Sequence, residues 1–149
     1  MAAPGPWVLY NDFKLNAFKK LMDLSADAFL VALVTSSSNA ISATLTPATY
    51  ATVTNELTTA NGYTAGGASA GSPTLTGGGS TATITWDTAD VSWTASGAGF
   101  TARAAVIYDN TAASKNLIAY CLLDSTPADV TVAAGNTLTL QIANVFSDT

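Results

Sequence analysis

The aspartates are the residues of this sequence whose type and spacing come closest to a catalytic or metal-binding arrangement. Asp87 and Asp90 are close in sequence, and Asp109 and Asp124 end two other predicted strands. Two carboxylates serve as acid and base in glycosidases, and carboxylate oxygens also bind calcium. Aspartate is equally a common turn residue. Because the segment 87–90 lacks the glycine and the dense oxygen spacing of a calcium loop, we interpret these aspartates as turn residues.

The sequence lacks the residues that other kinds of catalysis require. The chain has no histidine, so a Ser-His-Asp triad cannot form, and the usual general base near neutral pH is absent. The glycines at 77–79 are followed by serine and threonine, which suggests a phosphate-binding loop, but no lysine follows them and the next element is predicted to be a strand. We therefore expect no enzymatic activity, no cofactor and no metal.

Composition and charge narrow the class of partner. Charged residues make up 10% of the chain and the net charge is −5, whereas soluble domains carry about 25% charged residues. Five basic residues cannot form a groove for a phosphate backbone, so we expect no direct binding to nucleic acid.

No apolar run reaches the roughly 18 residues of a membrane span. Lys19-Lys20 before the apolar run 28–34 resembles part of a signal peptide, but Asp23 and Asp27 intervene, so we expect cytosolic synthesis without export.

Four single residues have two readings each. Cys121 lies in an apolar run, which favours a buried structural thiol over a reactive one. Arg103 is the only arginine, and it either pairs with an aspartate of its own domain or anchors an interface. Trp86 and Trp93 are expected to fill the core, the alternative being a platform on which sugars stack.

The N-terminal part is predicted to hold an arm and a helix. Residues 1–10 contain two prolines and an apolar end, which predicts an extended arm that docks on its own domain or on a neighbouring copy. Asn11 or Asp12 would cap a helix over 11–24 that covers one face of a sheet. Its apolar stripe is Phe13, Ala17, Leu21 and Leu24, with Phe18 and Met22 beside it.

From residue 28 onward the apolar pattern has the period of strands. Short β-branched runs separated by Gly, Asn, Asp and Pro predict a mainly β fold, an antiparallel sandwich or barrel in a single domain spanning 1–149. The predicted strands are 28–35, 81–86, 91–93, 101–108, 117–123, 130–132 and 137–142, with a short edge strand at 50–53. The Gly/Ser/Thr-rich stretch 58–80 is predicted to be a solvent-exposed loop or a segment ordered by a neighbouring subunit.

Several short segments form a distinctive series along the chain. The most specific are Gly-Tyr-Thr-Ala-Gly-Gly at 62–67 and Thr-Ala-Arg-Ala-Ala-Val-Ile-Tyr at 101–108. The others lie at 10–14, 29–35, 55–57, 90–94 and 117–120. With these segments, residues from about 10 to 142 resemble a group of small structural proteins encoded by tailed bacteriophages and prophages. Relatives have an Asp-Phe-Gly-Ser-like stretch after the Ile-Ala-Tyr strand, where this chain has Cys-Leu-Leu-Asp-Ser at 121–125.

The resemblance implies a virion component without enzyme activity, on the head or on the tail. We expect a capsid decoration protein whose partners are the major capsid protein and copies of itself, as a trimer on the capsid surface. The alternatives are a tail-tube, baseplate or fibre-associated component and, in another class, a host-surface carbohydrate-binding module. An apolar arm and a glycine-rich loop can both become ordered on docking. The predicted interface residues are Trp7, Val8, Leu9, Tyr10, Tyr63, Gly66, Gly67 and Arg103.

Overall fold

A computed structural model describes residues 4–80 and 82–148. The fold is mainly β and antiparallel with one α-helix near the N-terminus, as predicted. The sheets are open rather than closed into a barrel, and their layers form a sandwich. The elements are β1 (Val8–Leu9), α1 (Asn11–Phe18), β2 (Phe29–Val34), a 3-10 helix (Tyr50–Thr52), β3 (Ala68–Ser69), β4 (Thr74–Gly77), β5 (Ile84–Asp87), β6 (Val91–Thr94), β7 (Phe100–Ala102), β8 (Ala104–Asp109), β9 (Leu117–Leu122), β10 (Val130–Val132), β11 (Thr137–Leu140) and β12 (Phe146–Asp148).

The largest sheet has five strands in the order β1-β9-β8-β2-β3. Its central strand, β8, pairs with β2 over six residues, from Ala104 opposite Val34 to Asp109 opposite Phe29. All six residues of β8 are buried, and β2 and β9 are nearly so. These strands are apolar on both faces because both faces of the sheet are covered.

One face of the five-stranded sheet packs on three smaller sheets. These are the pairs β6-β11 and β7-β10 and the three-stranded sheet β12-β5-β4. Side chains such as Val31, Leu33 and Ile107 meet Trp86 and Trp93 in the main core. Strands β6, β7, β10 and β11 alternate between buried and exposed residues, which is the pattern of a sheet with one face in solvent. Trp86 and Trp93 are buried, as predicted.

The opposite face of the large sheet is covered by the N-terminal end of the chain and by the segment 40–53. Tyr10, Ala40 and Ala48 form a second apolar cluster with Val106 and Tyr108 of the sheet. The Tyr10 hydroxyl donates a hydrogen bond to the Ala40 carbonyl over 2.6 Å. The edge strand predicted at 50–53 is wrong, because Tyr50–Thr52 forms a turn of 3-10 helix.

The predicted arm lies on its own domain. Val8 and Leu9 pair with Tyr120 and Ala119, and the Gly5 amide donates to the Leu122 carbonyl. The segment is therefore an edge strand of the large sheet rather than a free arm. The first three residues of the predicted arm lie outside the described residues.

The helix is shorter than predicted. It runs from Asn11 to Phe18 rather than to residue 24, and Lys20 adopts a left-handed φ of 55° that a helix cannot continue. The residue before the helix is Tyr10, which makes no side-chain cap, so neither Asn11 nor Asp12 caps it. The Asp12 carboxylate instead accepts a hydrogen bond from the Ala48 amide.

Most predicted strands differ from the observed ones by one or two residues at an end, and two predicted strands differ by more. The strand predicted at 101–108 is divided at Arg103 into β7 and β8, which belong to different sheets. The strand predicted at 81–86 begins at Ile84, because Ala82 has a left-handed φ of 57°. Within the observed strand Trp86 is buried, while Ile84 is 45% exposed. Thr81 lies outside the described residues.

The stretch 58–80, predicted to be a solvent-exposed loop or a segment ordered by a neighbouring subunit, is largely exposed but contains two short strands that pair within its own chain. It supplies β3, which pairs with β2, and β4, which pairs with β5. Tyr63 within it is only 2% exposed. Composition alone suggested flexibility because it does not reveal the hydrogen bonds described next.

Candidate functional site

Glu56 is the centre of a polar cluster that fixes the glycine-rich turn at 62–67. Its carboxylate accepts hydrogen bonds from the Tyr50 hydroxyl, the Tyr63 hydroxyl at 2.6 Å and the Gly66 amide at 2.7 Å. The Tyr108 hydroxyl donates to the Gly66 carbonyl over 2.8 Å. The turn is thereby held by hydrogen bonds on both sides.

Close packing adds to this hold. The φ of Gly67 is +84°, and a Cβ built there would lie 1.9 Å from the Val31 carbonyl oxygen. Only glycine fits such a left-handed position against the backbone of a central strand. The Tyr50 and Tyr108 rings stack with their centroids 4.4 Å apart.

Burial and the Glu56 carboxylate control the protonation of the tyrosines. Desolvation, followed by the hydrogen bond to Glu56, raises the pKa of Tyr50 and of Tyr63 well above the ordinary value of 10. Burial, followed by the negative charge of Glu56, raises the pKa of Tyr108 to about 12. These tyrosines stay protonated near neutral pH and act as hydrogen-bond donors. Both oxygens of Glu56 already accept hydrogen bonds from the chain itself, so the cluster holds the turn at 62–67 in place. We call this cluster the latch.

All four aspartates singled out in the sequence lie at the end of a strand or in the connection next to one, and Asp109 and Asp124 shape turns, as interpreted. Asp87 accepts hydrogen bonds from the amides of Thr88 and Asn144, and Asp90 accepts one from the Ile142 amide. Asp124 accepts from the amide and hydroxyl of Thr126. Within residues 4–80 and 82–148, no group of three or more His, Cys, Asp or Glu side chains could hold a metal ion.

Asp109 differs from the other three because it is fully buried at the end of β8. One carboxylate oxygen accepts hydrogen bonds from the Thr111 and Ala112 amides, and the carboxyl group of Asp27 lies within hydrogen-bonding reach of the side chain. Desolvation is the main cause that raises its pKa, and the carboxyl group of Asp27 raises it further. Burial of this carboxylate costs stability when it is charged.

Arg103 forms an ion pair within its own domain, and Cys121 is a buried thiol, which are the structural alternatives given for each residue. The Arg103 guanidinium forms an ion pair with Asp129, with Nε 2.7 Å from the carboxylate, and donates to the Pro127 carbonyl. It thus secures the corner where the chain passes from β7 to β8. Cys121 is buried, and desolvation raises the pKa of its thiol to about 12.

The structure separates the predicted interface residues into several places. Trp7, Val8 and Leu9 lie at the sheet edge, where Val8 is exposed and the other two are partly buried. Tyr10 and Tyr63 are buried within the chain. Gly66 and Gly67 belong to the latched turn, and Arg103 is in the ion pair with Asp129. Their contact with another subunit stays a prediction.

The exposed apolar side chains gather at a different place, which sequence reasoning missed. We define the apolar surface as Phe18, Leu21, Leu75 and Ile84, with exposed fractions of 85%, 47%, 43% and 45%. These residues border a groove of about 210 Å³ between α1 and the sheet β12-β5-β4 and a second, wider pocket beside it. The floor of the groove includes Phe13, Ala17, Leu24 and Phe146.

The sequence held one signal for this surface. Phe18 stood beside the apolar stripe rather than in it, and a helix that ends at residue 18 leaves this ring outside the core. Leu75 lies in the stretch 58–80, whose composition predicts a loop, and so gives no signal of its place on the edge strand β4.

No protein-family model, curated protein or solved structure matches this chain. Among the described residues, the helices are too short to cross a bilayer.

Proposed function

We propose that this chain is a structural protein of a bacteriophage virion, acting as a capsid decoration protein that binds the major capsid protein and stabilises the head. It has no enzymatic activity in this proposal. Repeated modest contacts would stabilise the shell through avidity rather than through one strong site.

The observation that carries the proposal is the apolar surface. Phe18, Leu21, Leu75 and Ile84 expose on the order of 300 Å² of apolar side chain, which lies in the range of functional patches on protein surfaces. The Phe18 ring, which is 85% exposed, is the largest apolar side chain of this surface. Such a surface suits a subunit that packs against others.

The remaining features also support a structural role. The carboxylates of Glu56, Asp87 and Asp90 are engaged in hydrogen bonds within the chain. Trp86 and Trp93 are buried, so neither offers the sugar-stacking platform that a carbohydrate-binding module would need. The resemblance described above supplies the assignment to tailed bacteriophages.

The test is the composition and stability of particles made from the phage or prophage that encodes this chain. We expect mass spectrometry of purified virions to find hundreds of copies, in an icosahedral ratio to the major capsid protein. Particles from a strain with the gene deleted should release DNA at a lower temperature, and added purified chain should restore the stability. A few dozen copies would place the chain in the tail, and absence from purified particles would refute a virion role.

A further inference from the structure

Phe18 and the groove beside it are matched in size and in apolar character. The ring of Phe18 is 85% exposed, and the adjacent groove is lined by Phe13, Ala17, Leu24 and other apolar side chains. Its volume is about 210 Å³, and an apolar cavity of about 150 Å³ is large enough to bind benzene. The groove can therefore receive a phenyl ring, and each copy of the chain presents one next to it.

The local charge is balanced, which allows a second copy to bind here, and Lys14 and Asp148 already form an ion pair with each other, with Nζ 3.0 Å from the carboxylate. Three lysines lie at or next to the surface, and three aspartates border the same groove and pocket: Lys14, Lys19, Lys20, Asp23, Asp27 and Asp148. Since the chain has five basic and ten acidic residues, the net charge of −5 is carried entirely by the rest of the molecule. Two copies meet here without the like-charge repulsion that opposes contact through their other faces.

The edge strand next to the groove is also free to make a contact. Strand β4 is the outer strand of its sheet, and all four of its residues, Thr74–Gly77, are exposed and uncharged. Natural edge strands often carry charges that prevent pairing with another chain. The absence of such a charge beside the apolar surface fits a surface that is covered by another copy.

From these features we propose that the apolar surface binds the same surface of a second copy across a twofold axis, with Phe18 of each copy entering the groove of the other. Because Phe18 and the groove are adjacent on each copy, both rings can insert in one contact, which is the self-complementary form that a twofold dimer requires. The inference adds a contact between copies to the proposed function, a dimer in place of the trimer that the resemblance implies, and it can be tested in solution without the virion.

The area sets the expected strength. About 300 Å² of apolar surface on each copy is well below the roughly 800 Å² per partner of a standard interface. We therefore expect a weak dimer, whose population rises with protein concentration over about the micromolar to millimolar range.

The experiment is sedimentation velocity of the purified full chain over this concentration range, with three variants. Phe18→Ala removes the ring from both copies and should weaken dimerisation about 100-fold. The matched control is Leu15→Ala, because Leu15 is 52% exposed on the same helix but does not line the groove. It should change the dissociation constant by less than about twofold. Circular dichroism verifies that each variant is folded.

A third variant distinguishes insertion of Phe18 into the groove from nonspecific apolar association. Ala17→Leu adds apolar surface but narrows the groove, so it should weaken the dimer, whereas nonspecific apolar association would become stronger. A monomer at all concentrations, an oligomer that Phe18→Ala leaves intact, a trimer, or a dimer strengthened by Ala17→Leu would each overturn the inference.

Particle binding distinguishes this inference from the proposed function. If wild-type chain stays monomeric but binds particles through Phe18, the surface contacts a different protein and the inference is wrong while the function stands. If the Phe18-dependent dimer forms but the chain is absent from virions, the proposed function fails and the surface assignment stands.

Discussion

Replacing Tyr63 with phenylalanine tests whether the Glu56 cluster latches the glycine-rich turn. The Tyr63 hydroxyl accepts a hydrogen bond from the Leu33 amide over 3.0 Å and donates one to Glu56. Tyr63→Phe keeps the ring and so leaves no large cavity, but it removes both hydrogen bonds. Leu33 is completely buried in β2, so its amide would have no partner and no route to water.

The magnitude follows from these two losses. An unsatisfied buried donor costs about 1–3 kcal/mol, and loss of a hydrogen bond to a charged group costs about as much again when no water replaces it. Glu56 is only partly buried and keeps the Tyr50 and Gly66 donors, so water can compensate it. We therefore expect a loss of about 2–3 kcal/mol in the free energy of unfolding, which a domain with about 5–15 kcal/mol tolerates.

The assay is urea denaturation followed by the fluorescence of the buried Trp86 and Trp93. With an m-value of about 1–3 kcal/mol per molar, the midpoint should fall by roughly 1–2 M. Tyr120→Phe is the control, because the Tyr120 hydroxyl makes no hydrogen bond to another described residue, and it should cost less than about 0.5 kcal/mol. Equal effects of the two substitutions, or a Tyr63→Phe effect below about 0.5 kcal/mol, would refute the latch.

Three further predictions concern other positions. Gly67→Ala should lower the free energy of unfolding, measured by heat or urea, by at least about 3 kcal/mol. Gly135 has the same φ of +84° but open space around its Cβ, so Gly135→Ala should lower it by only about 1–2 kcal/mol. Equal losses would contradict the close approach of Gly67 to Val31. Because burial raises the Asp109 pKa, the wild-type chain loses stability as pH rises through that pKa. Asp109→Asn should therefore be the more stable chain at neutral pH, and its advantage should disappear below the ordinary aspartate pKa of 3.8; urea titrations showing the opposite trend would contradict it. Cys121, with a pKa of about 12, should react with iodoacetamide at pH 8 at least about 100-fold more slowly in the folded chain than in urea, and fast labelling by mass spectrometry would show that the thiol is accessible.

Local patterns were sufficient for the mainly β class and for most strands. β2, β8 and β9 are apolar on both faces wherever they are placed, and β6 alternates with a period of two, so burial follows directly from residue type and spacing. The same reasoning identified Cys121 as a buried thiol and Asp109 and Asp124 as turn residues.

Other features depended on contacts between residues distant in sequence. The stretch 58–80 has the composition of a flexible loop, yet Glu56, Tyr50, Tyr108 and the backbone of Val31 hold it against β2. No local pattern indicates that a carboxylate and three tyrosines converge on one turn.

The sequence by itself determined most of the strand-forming segments, the absence of histidine and the scarcity of charge, because these depend only on residue type and near neighbours. The tertiary structure alone decided where the helix ends and which apolar side chains remain outside the core. Phe18 and Leu75 are 57 residues apart, and only the packing of α1 beside the sheet β12-β5-β4 brings them to one groove.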